Sequence, residues 1–326
     1  MSSRSPEPAP PVTILLSTFN GARFLPEQLA SIAEQTHDDW LLHVSDDGSD
    51  DDSAAIIESF AAGDDRVRVY QAESGQGPAA AYLRLLGTVD TPYFALCDQD
   101  DLWQPNRLSY TVGLLEAVRS ESNAVERPWP AMVATDATLI DEAGELIAES
   151  ALDQRRVPIE GVTFGQLLML NAAIGNTITG TRELAELARA IADGRPVVMH
   201  DWWLALVAAS RGTFVLDRTA TVQFRRHQDA TTHRLAGEWG LSALRSRTSA
   251  RERTRAVFAR CVEHARYLDA DPGEPTDPLF AEQTKRLAHV DPAMVTMLDL
   301  VELWRLGVRM WPTKRHVALA AGVAPK

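Results

Sequence analysis

The chain has 326 residues, of which 45% are apolar and 24% charged, and its formal net charge is −13. These proportions are ordinary for a globular protein with a sizeable core, and the length suits a catalytic domain with a shorter appendage. The acidic balance excludes a general nucleic-acid binder, which needs a basic face. A phosphorylated ligand would need a local device: a bound metal, a helix N-terminus or a few placed arginines.

Met1 to Pro11 is rich in Ser and Pro, lacks an apolar h-region and reads as a flexible tail. No stretch approaches the roughly 20 uninterrupted apolar residues of a membrane span. The two cysteines, Cys97 and Cys261, are few for this length, which fits a reducing, cytoplasmic compartment. Cys97 closes an apolar run and reads as a small core residue.

In chain order, Val12–Ser17 is an apolar run that stops at Thr18-Phe19-Asn20-Gly21, a strand ending in a turn. A helical pattern follows from Pro26 to about Gln35. Trp40–Ser45 is a second strand, closed by Asp46-Asp47-Gly48-Ser49, and Ser53–Phe60 is helical. Val67–Gln71 is a third strand, Pro78–Leu86 a helix, and Tyr93–Cys97 a fourth strand ending at Asp98. This alternation predicts a mostly parallel sheet with helices on its faces. Ligands of open sheets bind beyond the carboxyl ends of the strands, so Thr18, Asn20, Asp46, Asp47, Asp98 and Asp100 are expected along one rim.

Further on, Asn106 to about Val118 is helical, Ala131–Thr135 a strand, and Asp141–Glu145 a hairpin turn. Phe164–Met169 and Thr181–Ile191 read as helices around a loop, Asn171–Gly180. Asp201–Ser210 is a helix carrying Trp202 and Trp203. Two short strands, Thr213–Asp217 and Thr221–Phe224, follow. The predicted organisation is a tail at 1–11, a catalytic domain at 12–235 and a helical extension at 236–326. The extension includes an arginine-rich helix (Arg245, Arg247, Arg251, Arg253, Arg255, Arg260, Arg266) and another over about Met294–Met310.

Asp98-Gln99-Asp100-Asp101 directly follows a strand. Two carboxylates one residue apart at such a point can converge on a hard cation, Mg²⁺ or Mn²⁺, whose shell substrate phosphate completes. The cation neutralises diphosphate charge and improves the leaving group. Asp50, Asp51 and Asp52 are explained as caps and first-turn acids of the next helix. Asp46 and Asp47, at the strand end itself, could accept from a base N–H or a ribose hydroxyl. Ser17–Gly21 matches neither a dinucleotide fingerprint nor a P-loop.

Together the motifs resemble the family 2 glycosyltransferases of GT-A fold. The resemblance rests on Val12–Gly21, Glu27-Gln28-Leu29, Ser31-Ile32, Gln35-Thr36, Asp46–Ser49 and Phe94–Trp103. It extends to His200-Asp201-Trp202-Trp203 and Phe224-Arg225-Arg226-His227. The C-D-Q-D-D-x-W and H-D-W-W forms look most like a rhamnosyltransferase-type branch that builds bacterial surface polysaccharide.

The resemblance implies that Thr18, Asn20, Asp46, Asp47 and Asp98 face the nucleoside, with Asp47 reaching the pyrimidine. Asp100, Asp98 and His227 would hold Mn²⁺ or Mg²⁺, and Asp201 would be the general base of a single inverting displacement. It also implies an acceptor wall at Gly175, Asn176 and Thr177, with a sugar near Trp202 or Trp203, although a wholly core role for both tryptophans stands beside it. Arg225 and Arg226 could contact phosphate or simply face solvent. The implied partners are a UDP- or dTDP-linked sugar and a glycan or lipid-linked acceptor.

The basic helices of the extension suit either solvent or peripheral contact with the inner face of a plasma membrane. Trp304, Arg305, Arg309, Trp311, Lys314 and Arg315 carry the membrane alternative. Two rivals differ in class. A sugar-nucleotide nucleotidyltransferase would carry a glycine-rich basic loop in place of Ser17–Gly21, and an inactive scaffold would not need Asp47, Asp98, Asp100 and Asp201. Ser74–Pro78 and Gly175-Asn176-Thr177 depart from the forms usual in the family.

Overall fold

β1 (Val12–Thr18) organises the sheet. It is flanked in parallel by β2 (Trp40–Asp46) and β4 (Tyr93–Asp98), and β3 (Val67–Gln71) continues the parallel set beyond β2. A strand covered on both faces must be apolar at consecutive positions. Val12, Ile14, Leu15 and Leu16 are accordingly all buried, as are Phe94 to Cys97 of β4. The computed structural model describes residues 9–71, 75–121, 128–158, 161–227 and 250–309, the side chains of 250–255 and 297 excepted.

Three helices make the crossovers between these strands: α1 (Leu25–Ala33), α2 (Ser53–Gly63) and α3 (Pro78–Leu85). After β4 come β5 (Leu102–Trp103), α4 (Arg107–Glu121), β6 (Ala131–Ile140), β7 (Leu146–Ala148) and the short helices α5 (Ala151–Arg155) and α6 (Phe164–Leu167). β8 (Ile178–Thr181), α7 (Arg182–Ala192), α8 (His200–Arg211) and β9 (Thr213–Arg225) complete this part. The strand order is β3-β2-β1-β4-β8-β6-β9-β5, with β7 paired to β6. This is the GT-A arrangement, a mostly parallel sheet in which β8 runs antiparallel to both of its neighbours.

Two local readings change. Asn171–Gly180, expected as loop throughout, contains a 3-10 turn over Gly175–Thr177 and then β8. β8 has four residues, and its Gly180 lies against the Phe94 ring, where an added Cβ would meet Cζ at 2.6 Å. The two short strands expected after α8 are one strand, β9, parallel to β6 along its length. Its register shifts near Asp136, opposite the polar Asp217–Thr219 segment, and Thr219 N bonds Asp217 Oδ1 across that kink at 2.8 Å.

Three C-terminal helices, α9 (Ala250–Ala270), α10 (Pro278–Ala288) and α11 (Met297–Arg305), share the core cluster of the sheet through Phe258, Cys261, Val262, Leu287, Leu300 and Leu303. His264 of α9 sits between Trp202 and Trp203, its Nε2 accepting from Val198 N at 3.3 Å. Burial pushes that imidazole down to about 3. Arg266 serves the helix ends, donating to Ala288 O and Val290 O. Among the described residues no helix is long and apolar enough to cross a membrane. Arg245, Arg247, Trp311, Lys314 and Arg315 lie outside the described residues, as do Ser74 and residues 1–8 of the tail.

Candidate active site

The parallel register sets Thr18 beside Asp46 and Ser17 beside Asp98, so β1, β2 and β4 end side by side. The turns beyond them are laced together. Thr18 Oγ1 donates to Gln99 Oε1 at 2.6 Å, Phe19 N donates to the same oxygen, and Gln99 Nε2 returns a bond to Phe19 O. Asn20 adopts a left-handed φ of 50° and accepts from Asp50 N through Oδ1. Thr18 and Asn20 therefore build the rim, with the Thr18 hydroxyl buried and engaged by Gln99.

Asp46 closes its own turn. Its two carboxylate oxygens accept from Ser49 N and Ser49 Oγ, closing the turn after β2. Asp47 accepts from Gln76 N at 3.2 Å and Gly77 N at 2.8 Å, which ties β2 to the loop ahead of α3. Each Asp47 oxygen retains a second lone pair. Phe19 is the rim residue that motif reading passed over: its ring is 51% exposed directly beyond β1.

Asp98 and Asp100 occupy the centre. Tyr82 Oη donates to Asp98 Oδ1 at 2.8 Å and lies 2.6 Å from Cys97 O. Burial, with the charge of Asp100 and then that of Asp201 adding, pushes Asp98 up to about 7 against the opposing Tyr82 bond. Asp100 Oδ2 lies 2.7 Å from His227 Nε2. Two carboxylates and an imidazole are a donor set suited to Mn²⁺ or Mg²⁺. Among the described residues no three such side chains already surround one point, so substrate oxygens would complete the shell.

Asp101 is buried and carries a different task. Its Oδ1 accepts from Arg225 N at 2.7 Å, and its Oδ2 accepts from Asn176 Nδ2. Burial, then the charges of Asp100 and Asp98, hold its pKa well above the usual carboxylate range. Arg225 is not available to phosphate, because its guanidinium donates to Asp100 O, Glu142 O and Glu27 Oε2. Arg226 is exposed. Arg107, fully buried over the Trp103 ring, donates to Leu96 O, Asn176 O and Ile178 O, and burial lowers it to about 9.

Asp201 stands in the first turn of α8, its Oδ2 accepting from Asn171 Nδ2 at 2.8 Å. His200 beside it is buried, stacks on Tyr82 at 4.0 Å and, among the described residues, has no hydrogen-bond partner at either ring nitrogen. Gly175 passes over both residues: an added Cβ would lie 3.2 Å from His200 Nε2 and 3.8 Å from Asp201 Oδ2. Asn176 and Thr177 are wholly buried, the first on Asp101 and the second on Ile174 O, so of the expected wall only Gly175 borders the carboxylate.

Trp202 and Trp203 are core residues rather than sugar platforms. α8 is covered on nearly every side, and the two indole N–H groups donate to Leu167 O and Ala188 O. Gln99, Tyr82, Asp101 and His200 lie inside or beside motifs visible in the sequence. Asn171 lies in no such motif.

Comparison with known proteins shows similarity in sequence and in fold. Residues 13–164 match the family described as Glycosyl transferase family 2. The succinoglycan biosynthesis protein ExoU of Rhizobium meliloti (strain 1021) is 27% identical over 248 residues, covering 69% of this chain and 70% of that protein. The UDP-Glc:alpha-D-GlcNAc-diphosphoundecaprenol beta-1,3-glucosyltransferase WfgD of Escherichia coli is 27% identical over 104 residues, 32% of this chain and 40% of its own length. Matches to two Bacillus subtilis proteins span 52% and 63% of those relatives. Among solved structures, the mannosyltransferase PcManGT from Pyrobaculum calidifontis, in complex with GDP-Man and Mn²⁺, superposes with a TM-score of 0.50. That match has 16% identity and covers 98% of this chain and 88% of that one. Residues 13–164 are thus similar in sequence to Glycosyl transferase family 2, and the chain has the GT-A fold.

Proposed function

We propose that the protein is an inverting, divalent-metal-dependent glycosyltransferase that moves a sugar from a nucleoside diphosphate to a hydroxyl of a glycan or lipid-linked acceptor in surface polysaccharide synthesis. The observation that carries the reading is electrostatic. The buried Asp98 feels both Asp100 beside it and Asp201 from the first turn of α8, so a cation-seeking acid pair and a separate carboxylate share one space.

In this reading Asp98, Asp100 and His227 hold Mn²⁺ or Mg²⁺, which when bound neutralises the diphosphate as it departs. Phe19 offers its face to the base and Asp47 a carboxylate oxygen to a base N–H. Asp201 accepts the proton of the acceptor hydroxyl while that oxygen attacks the anomeric carbon, and Asn171 keeps one Asp201 oxygen oriented. Tyr82 holds the Asp98 carboxylate on its site side.

Several likenesses support the donor and acceptor classes. WfgD carries a UDP-glucose donor and a diphosphoundecaprenol acceptor in its name, and PcManGT was solved with GDP-mannose and Mn²⁺. A UDP- or dTDP-linked donor is our first choice, and rhamnose the sugar, on the C-D-Q-D-D-x-W and H-D-W-W forms. Peripheral membrane contact through α9–α11 fits an acceptor of that kind. Incubation of purified protein and Mn²⁺ with UDP-, GDP- and dTDP-sugars, read by mass spectrometry for released nucleoside diphosphate, tests the function. Absence of release from every donor, with no nucleotide binding, would end the proposal.

A further inference from the structure

The segment between α6 and β8 meets the site at two points that the chemistry above leaves unconnected. Near its start, Asn171 Nδ2 donates to Asp201 Oδ2 at 2.8 Å. At its end, Asn176 Nδ2 donates to Asp101 Oδ2. A neutral amide orients a carboxylate without neutralising it. The segment is itself held from outside. Arg155 donates to Ala173 O at 3.0 Å and Asn171 O at 2.8 Å, and Arg107 donates to Asn176 O at 2.8 Å. Asn171 Oδ1 accepts from Ala173 N, closing the turn on itself.

Asp101 passes the contact onward. Its other oxygen accepts from Arg225 N, and Arg225 Nε donates to Asp100 O at 3.0 Å. Asn176 thus reaches both pieces of backbone that carry Asp100 and His227. Between the asparagines Gly175 lies close against His200 and Asp201, where an added Cβ would sit 3.2 Å from His200 Nε2.

We infer that Asn171 and Asn176 are positioning residues through which one short segment fixes the separation between the base Asp201 and the cation-holding Asp100 and His227. The inference rests on the glycosyltransferase reading. It adds that the spacing between attacking hydroxyl and leaving diphosphate is set by this segment, whereas the strand ends of β1 and β2 set the nucleoside.

The two halves give opposite signatures. The test titrates Mn²⁺ calorimetrically in the presence of UDP and, separately, measures turnover of the sugar nucleotide selected by the donor panel, all on the full chain. Asn176→Ala lowers Mn²⁺ affinity about tenfold, as loss of an outer hydrogen bond to a ligand loop does. Asn171→Ala leaves Mn²⁺ and UDP affinity unchanged and lowers turnover about tenfold or more. The exchanged pair Asp101→Asn with Asn176→Asp remakes the bond with donor and acceptor reversed, and it returns Mn²⁺ affinity toward the wild-type value. Equal losses in both readouts for both single variants would reduce the segment to a stability element. Unchanged readouts, or an exchanged pair no better than Asn176→Ala, would overturn the inference. A wild-type protein that binds no nucleoside diphosphate with Mn²⁺ would remove the underlying glycosyltransferase reading instead.

Discussion

Tyr82 and Asp98 meet at 2.8 Å between Tyr82 Oη and Asp98 Oδ1, and the same tyrosine ring stacks on His200, the neighbour of Asp201. One buried side chain therefore touches the acid loop with its hydroxyl and the start of α8 with its face.

Removing that hydroxyl should be felt first at the cation. Tyr82→Phe takes away the bond that opposes the upward shift of Asp98. A stability loss of about 1 kcal/mol and an Mn²⁺ affinity about tenfold lower are expected. Calorimetric Mn²⁺ titration with UDP reads the second, and thermal unfolding the first.

Cation binding should also depend on pH. Asp98 is raised to about 7, so its carboxyl holds a proton below that pH and must release it to ligate. Mn²⁺ affinity should rise with pH and level off above about 7. A flat profile between pH 5.5 and 8 would separate Asp98 from the cation.

His264 gives a stability prediction of the other sign in charge. Its folded value is about 3, against 6.5 for an unburied imidazole. Between those values the unfolded chain binds the proton and the folded chain does not. The contribution is fully present above pH 6.5 and is lost as pH falls toward 3, at up to about 1.4 kcal/mol per pH unit. Denaturant melts of wild type and His264→Gln at pH 7.5 and 5.5 check this: the variant should lose less stability over the interval.

At the rim, Phe19→Ala should weaken nucleotide binding by about 1–3 kcal/mol, the worth of one base stacked on an aromatic ring. Its exposure makes the melting temperature insensitive to the change, so a nucleotide titration with unchanged unfolding isolates the ring's role.

Much of the fold was readable in the residues, for an identifiable reason. β1, β2 and β4 are mostly apolar because a parallel strand is covered on both faces, and each ends where its polar turn begins. β8 was not readable, since four residues with a glycine chosen for its fit against Phe94 resemble a loop. The tandem tryptophans left a sugar-facing and a core role open, and the burial of α8 on nearly every side favours the core role. Asp98, Asp100 and Asp201 stand in local motifs. The bonds that orient them, from Asn171 to Asp201 and from Asn176 to Asp101, join residues far apart in sequence, and no spacing rule announces them.

Asp201, the base of the proposed reaction, is the most direct point of attack. Asp201→Asn keeps the shape of the side chain, so UDP and Mn²⁺ should bind as in wild type while release of nucleoside diphosphate from the selected donor in the presence of acceptor falls by at least about a hundredfold, the lower range for a general base. Transfer at the wild-type rate by that variant, with its nucleotide affinity intact, would contradict the mechanism proposed for this site.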